Sequence, residues 1–173
     1  ASIAYADAML GELLDALEES AHAQNTIVVL WSDHGWQLGE KEHWRKFALW
    51  DNLIRTVLMV KVPPGTPGLP RGGVQGGVCD RVVSLVDLYP TLLSLSGLPP
   101  REGLEGRDLT SLLQDPGAEW DNPAITTYDF NEFSIRVEGW HYIHYIDDSE
   151  ELYDLRADPE EWRNLADDPE YRD

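Results

Sequence analysis

The sequence predicts an α/β fold: a helix-and-strand core over residues 1–116, followed by a small antiparallel sheet subdomain over 117–173. Two observations predict it. A helical apolar period at the start of the chain leads into a near-continuous β-branched run, which is the pattern of a helix feeding a covered strand. Beyond Pro116 the composition shifts to short aromatic and branched runs separated by turn residues, the pattern of hairpins.

Taken in order, residues 3–19 carry Ala6, Met9, Leu10, Leu13, Leu14 and Leu17 at helical spacing, with Ser2 as the expected N-cap. A polar loop through Gln24 and Asn25 precedes a strand over 26–31, whose apolarity suits a central parallel strand covered on both faces. A helix followed by such a strand is half of a βαβ unit, so an earlier strand is expected ahead of this sequence. Residues 44–50 read as a short helix or an irregular loop. A strand is expected over 53–62, stopped by Pro63 and Pro64, then a glycine- and proline-rich surface loop over 63–77. A short strand over 82–86 precedes a helix capped by Asp87, with Pro90 in its first turn and its end at Gly97. Another helix is expected over 109–114, capped by Asp108.

The last third reads as strands over 124–128, 133–137 and 140–146, with a possible fourth over 151–155 and a tight Glu138-Gly139 turn between the second and third. Alternation puts Trp140, Tyr142 and His144 on one face and His141, Ile143 and Tyr145 on the other. Both histidines read as packed or exposed strand residues outside any site.

Composition narrows the function. The formal net charge of −19, from 32 acidic and 13 basic residues, excludes a general nucleic-acid binder, which needs a basic face, and argues against adhesion to an anionic membrane. No apolar run is long enough to span a bilayer. The acid-rich segment 147–173 reads as a solvated face; it lacks the ligand spacing and central glycine of an EF-hand. The lone Cys79 forms no internal disulfide and reads as a structural thiol.

The chemistry concentrates at Ser32-Asp33-His34-Gly35, where the apolar strand ends in a carboxylate, an imidazole and a glycine. Ligands gather at such strand ends in open α/β sheets. Asp33 and His34 offer an oxygen and a nitrogen to a hard cation, and Gly35 lets the backbone turn beneath them. A capped turn with an exposed histidine explains the same residues locally.

Four blocks in order then resemble the sulfatases of the alkaline-phosphatase superfamily, especially the iduronate-2-sulfatase type. They are residues 15–36, ending in Ser32-Asp33-His34-Gly35-Trp36; Leu38-Gly39-Glu40-Lys41 with His43-Trp44-Arg45-Lys46-Phe47; Ser84-Leu85-Val86-Asp87-Leu88-Tyr89-Pro90-Thr91-Leu92-Leu93 with Gly97-Leu98-Pro99; and Glu151-Leu152-Tyr153-Asp154-Leu155 with Asp158-Pro159-Glu160-Glu161 and Asn164-Leu165-Ala166. The resemblance implies that Asp33 and His34 ligate the active-site divalent cation, normally Ca2+, and that Lys46 is the catalytic lysine contacting the sulfate group. His43 and Arg45, beside it, are candidate substrate-binding residues. The implied substrate is a sulfate ester, with sulfated carbohydrate favoured, and the implied compartment is periplasmic or secreted. A phosphonate monoester or phosphodiester hydrolase of the same superfamily, or a non-catalytic carbohydrate-binding relative, is the alternative.

Three departures qualify the match. Arg55-Thr56-Val57-Leu58 lacks the proline usual after the site. The Cys/Ser-x-Pro-x-Arg motif that yields the family's formylglycine nucleophile is absent, and Cys79-Asp80-Arg81 does not supply it. The paired acidic ligands that precede the nucleophile are absent as well. The sequence therefore resembles the C-terminal part of a sulfatase, with the formylglycine and the remaining metal ligands expected in an N-terminal part of the same polypeptide.

Overall fold

The computed structural model describes residues 1–171. It is a mixed α/β structure with a four-stranded antiparallel sheet in its last third. Helix α1 spans Ser2–Glu18, and its first hydrogen bond runs from the Tyr5 N–H to the Ala1 carbonyl. The cap position is therefore Ala1, and the expected Ser2 cap lies inside the helix with no side-chain cap bond. No residue of α1 is buried.

Strand β1 (Val28–Trp31) starts later than its composition suggests, because the Thr26 hydroxyl donates to the His22 carbonyl and holds that residue in the preceding turn. The expected parallel, doubly covered strand is corrected. Among the described residues β1 pairs only with the antiparallel β4 (Leu58–Lys61), in the register Val28↔Lys61 to Trp31↔Leu58. Its side chains are half-buried and Trp31 is exposed. The two-residue strands β2 (Gln37–Leu38) and β3 (Trp44–Arg45) form a hairpin, and residues 46–50 that follow are the irregular loop rather than the helix of the two alternatives expected near 44–50.

The expected strand over 53–62 is helical at its start. Residues Asp51–Ile54 form one turn, α2, closed by the Arg55 N–H on the Asp51 carbonyl, with Leu53 buried beneath it. Nor is 82–86 a strand. The Asp87 carboxylate accepts from the Ser84 N–H at 2.8 Å and from the Arg107 N–H at 2.7 Å, folding Leu85–Asp87 into a 3-10 turn that leads into α3 (Leu88–Leu95). Asp87 thus caps the turn before the helix. Gly97 follows α3 at φ +67°, the left-handed position at which helices end cheaply only with glycine. Helix α4 (Thr110–Gln114) begins where the Asp108 carboxylate accepts from the Thr110 N–H.

Strands β5 (Ala124–Asp129), β6 (Glu132–Val137), β7 (Trp140–His144) and β8 (Glu150–Asp154) form an antiparallel meander in chain order. The β6–β7 turn contains Gly139 at φ +81°, as the Glu-Gly pair predicts. His141 and Ile143 are fully buried on the inner face. The outer edge of β8 is covered by Asn164, whose amide accepts from the Leu152 N–H and donates to the Glu150 carbonyl, and by the Leu165 N–H on the Leu152 carbonyl. The inner face packs Ile143 and Tyr153 against Leu49, with Trp50, Ile54, Tyr145 and Leu155 around them. The sheet is thus seated on the stretch of chain that leaves the β2–β3 hairpin.

Two expectations drawn from composition are corrected. Cys79 is exposed rather than packed. The acidic segment is not wholly a solvated face, because Glu161 is only 2% exposed. No helix among the described residues is long and apolar enough to cross a membrane.

Burial raises the phenol of Tyr153 above its ordinary range, helped by the Glu151 carboxylate, and raises that of Tyr145 for the same reasons. Above their ordinary value of 10 the unfolded chain loses these protons while the folded chain keeps them, so stability falls as pH rises. Lys41, lowered by burial, acts in the opposite sense up to its ordinary 10.5. Urea unfolding midpoints are therefore expected to drop above about pH 10.5, and Tyr153→Phe is expected to flatten that slope.

Candidate functional site

The end of β1 delivers Asp33 to the surface with its side chain 80% exposed, while the His34 side chain is 31% exposed. Gly35 fixes how this loop sits. Its N–H donates to the Leu53 carbonyl at 2.7 Å, and a Cβ on it would lie 2.0 Å from the Asn52 carbonyl oxygen. Glycine is needed here for close approach of two backbones rather than for a left-handed turn.

The His34 ring is oriented by its own backbone. Nδ1 lies 2.7 Å from the Gly35 carbonyl oxygen, an acceptor only, so Nδ1 carries the proton and Nε2 presents a lone pair. That Nε2 stands 3.4 Å from Asp33 Oδ2. Adjacent ligands of an octahedrally held calcium, at about 2.4 Å from the ion, stand about 3.4 Å apart. The pair fits one edge of such a shell. Among the described residues no group of three or more His, Cys, Asp or Glu side chains gathers to complete it.

The β2–β3 hairpin and the residues after it carry the remaining candidates. Lys46 is half-buried, with Nζ 5.2 Å from the centre of the Phe47 ring. Arg45 is exposed, and neither cation forms an ion pair among the described residues. His43 Nε2 donates to the Lys46 carbonyl at 3.1 Å, and its ring meets Trp50 edge-on at 5.6 Å. The imidazole therefore braces the backbone of Lys46.

Four non-glycine residues of this stretch, Lys41, Glu42, Arg45 and Phe47, sit at positive φ, from 51° to 84°. Each costs about 1–2 kcal/mol, so the segment holds roughly 4–8 kcal/mol of local strain. Something outside the segment has to hold it.

Lys41 is what leaves the segment to do so. Its ammonium lies between the Trp50 and Tyr153 rings, 4.6 and 4.5 Å from their centres, and donates to the Tyr153 hydroxyl at 2.9 Å and the Glu161 carbonyl at 2.5 Å. The Glu161 carboxylate is buried beside it. It accepts from the Asp51 N–H at 2.9 Å and from His141 Nδ1 at 2.5 Å. Asp51 is itself buried and pairs with Arg136 at 3.1 Å. Sequence reasoning missed this network. Lys41 and Glu161 stand 120 residues apart with no local pattern linking them, and the only signal was the alternation that set His141 on one face with Ile143 and Tyr145, without saying which face is buried.

The fold has close counterparts among solved structures. The phosphonate monoester hydrolase of Agrobacterium radiobacter superposes with a TM-score of 0.77 at 29% identity, covering 98% of this chain and 36% of that one. A protein solved in complex with its substrate D-glucosamine-2-N,6-O-disulfate gives 0.76 at 28%, covering 94% and 34%. Such likeness, on a chain whose strand ends in an Asp–His pair, defines a member of the alkaline-phosphatase superfamily. Within it, the chain belongs to the sulfatase family, whose profile matches residues 1–98. A sulfatase of Formosa agariphila is 42% identical over 166 residues, and the choline-sulfatase of Rhizobium meliloti 33% over 175. These alignments cover 96% and 98% of this chain but 31% and 32% of those proteins, so the chain spans about a third of the length of the relatives it matches.

The contact at Gly35 predicts that Gly35→Ala forces the loop and α2 apart. The expected result is a loss of about 1–3 kcal/mol in urea unfolding, in the range for overpacked sites; an unchanged midpoint would mean that the two backbones separate freely.

Proposed function

We propose that this chain is the C-terminal part of a sulfuric ester hydrolase, of the type that includes the iduronate sulfatases, acting on sulfated carbohydrate. In this reading residues 1–116 belong to the catalytic α/β domain and 117–173 to its C-terminal subdomain, and a periplasmic or secreted location suits the substrate. The observation that carries it is the Asp33–His34 pair: the His34 tautomer is set by the Gly35 carbonyl and its free Nε2 faces a carboxylate oxygen at 3.4 Å. Membership of the sulfatase family supports the reaction class, and the structural likeness to a protein whose substrate is a disulfated glucosamine supports the sugar.

Asp33 and His34 would hold a divalent cation, Ca2+, with the other ligands and a formylglycine supplied by the remainder of the polypeptide. A bound calcium supplies Lewis-acid stabilisation of negative oxygen. The residues of this chain do the rest of their share as follows. Lys46 places an ammonium against the non-bridging oxygens of the sulfate group, whose charge a partly desolvated site stabilises far better than water does. His43 holds the backbone of that lysine through its carbonyl. Arg45 offers a planar fork to a carboxylate or second sulfate on the sugar.

A phosphonate monoester or phosphodiester hydrolase is the second reading, favoured by the likeness to the Agrobacterium enzyme. Assays of the full-length protein on paired sulfate and phosphate esters separate the two, and faster turnover of phosphate esters would sink the sulfatase reading. In the same protein Asp33→Ala is expected to remove bound calcium, read by elemental analysis, and Lys46→Ala to lower kcat/KM by about 10²–10³, the usual cost of losing one charge-stabilising donor. Calcium retained by Asp33→Ala would place the metal elsewhere.

The 173-residue chain by itself is expected to show no sulfatase turnover, because the nucleophile motif lies outside it. Turnover by a preparation whose intact mass matches this chain alone would refute that expectation.

A further inference from the structure

The residues 158–161, Asp158-Pro159-Glu160-Glu161, have no part in the chemistry assigned to Asp33, His34 and Lys46. Yet Glu161 is among the most deeply buried charged side chains described, and it adopts φ +59°, a conformation a non-glycine residue holds only when its surroundings impose it. Three separated parts of the chain converge on it. Its carbonyl takes Lys41 Nζ from the β2–β3 hairpin, one carboxylate oxygen takes the N–H of Asp51 at the start of α2, and the other takes His141 Nδ1 from β7.

The hairpin and α2 also adjoin the segments that carry the candidate residues. The Lys41 ammonium is fixed by two ring faces and two acceptors, five residues before Lys46, in the segment that holds four strained φ values. On its other side α2 carries the Leu53 carbonyl and the Asn52 backbone against which Gly35, next to His34, is seated. One buried residue, through its carbonyl and its carboxylate, therefore stands behind both loops.

We propose that Lys41 and Glu161 are positioning residues: the turn at 158–161 clamps the β2–β3 hairpin and α2, and so sets where Lys46 presents its ammonium relative to Asp33 and His34. This rests on the reading of Lys46 given above. The clamp touches no substrate and acts through the backbone. Its removal lets the strained segment relax, and a displacement of about 1 Å at a charge-stabilising group costs on the order of 10²-fold in rate.

The test uses the full-length protein with Lys41→Met and the milder Tyr153→Phe, which removes one acceptor of Lys41 and keeps the ring. Hydrogen exchange over 37–47 is followed by mass spectrometry, and kcat and KM are measured on an aryl sulfate. Lys41→Met is expected to speed exchange in 37–47 while the strands of the sheet keep their protection, and to lower kcat about 10²-fold with calcium content unchanged. Tyr153→Phe is expected to move both readouts the same way by less. Wild-type exchange and wild-type kcat in both variants would overturn the clamp. A Lys46→Ala control with undiminished turnover, alongside faster exchange in Lys41→Met, would leave the clamp standing and remove the role given to Lys46.

Discussion

The burial of the Glu161 carboxylate sets the terms for the rest of the molecule. A charge taken out of water costs several kcal/mol unless hydrogen bonds and opposite charge replace the water it lost. Here the replacement comes from Asp51 and His141, with the Lys41 ammonium on the carbonyl of the same residue. None of these partners is near Glu161 in sequence, so the interaction forms only when hairpin, α2 and sheet have all been brought together. Removing one member would leave the others buried without an answer, at a cost of about 3–5 kcal/mol. Such a network adds little net stability over an apolar core. What it enforces is one relative placement of three elements.

The apolar packing around it works in the same direction. Leu49, Ile143 and Tyr153 form a small closed cluster under Trp50 and Ile54. The Trp50 indole and the Tyr153 hydroxyl both donate to the Glu151 carboxylate, at 2.9 and 2.7 Å, so the aromatic rings that flank Lys41 are themselves held in place. Rigid rings of this kind present a fixed negative face to the ammonium, an attraction that grows as water is excluded. Gly35 extends the rigidity to the Asp33–His34 loop, because the contact between its backbone and Asn52 leaves no room for a side chain. A site that stabilises developing charge depends on groups already in place before reaction. In this chain the placement derives from backbone contacts and one polar cluster, and the loops themselves carry the strain.

What was legible in the sequence follows from how local each feature is. Asp33 and His34 are adjacent, so their pairing at 3.4 Å needs no knowledge of the fold, whereas Lys46 was singled out only through the family resemblance. The Glu138-Gly139 hairpin and the two faces of β7 follow from a period of two and a turn residue. The strand expected over 82–86 failed because Ser84 and Asp87 offered the backbone side-chain partners that a strand would have to forgo. Residues 26 and 27 failed for the same reason, with the Thr26 hydroxyl competing for the chain. The direction of β1 could not be read at all, since a covered apolar run looks alike whether its neighbour is parallel or antiparallel. Glu161 was hidden by its own surroundings: in a run of acids, charge counting assigns every member to solvent, and only the fold reveals the one turned inward.

The charge balance gives that inward turn a further consequence. With a formal charge of −19 the chain repels anions overall, and any local attraction depends on individual cations rather than the overall sum. Arg45 and Lys46 have no ion-pair partner among the described residues, whereas the buried Asp51 is matched by Arg136 and Arg55. Lys46 is half-buried beside the exposed Phe47 ring, so part of its charge is shielded from water. Burying Glu161 and Asp51 among their own partners thus fixes the hairpin and α2 against the sheet, and leaves Arg45 and Lys46 as cations with no ion-pair partner among the described residues.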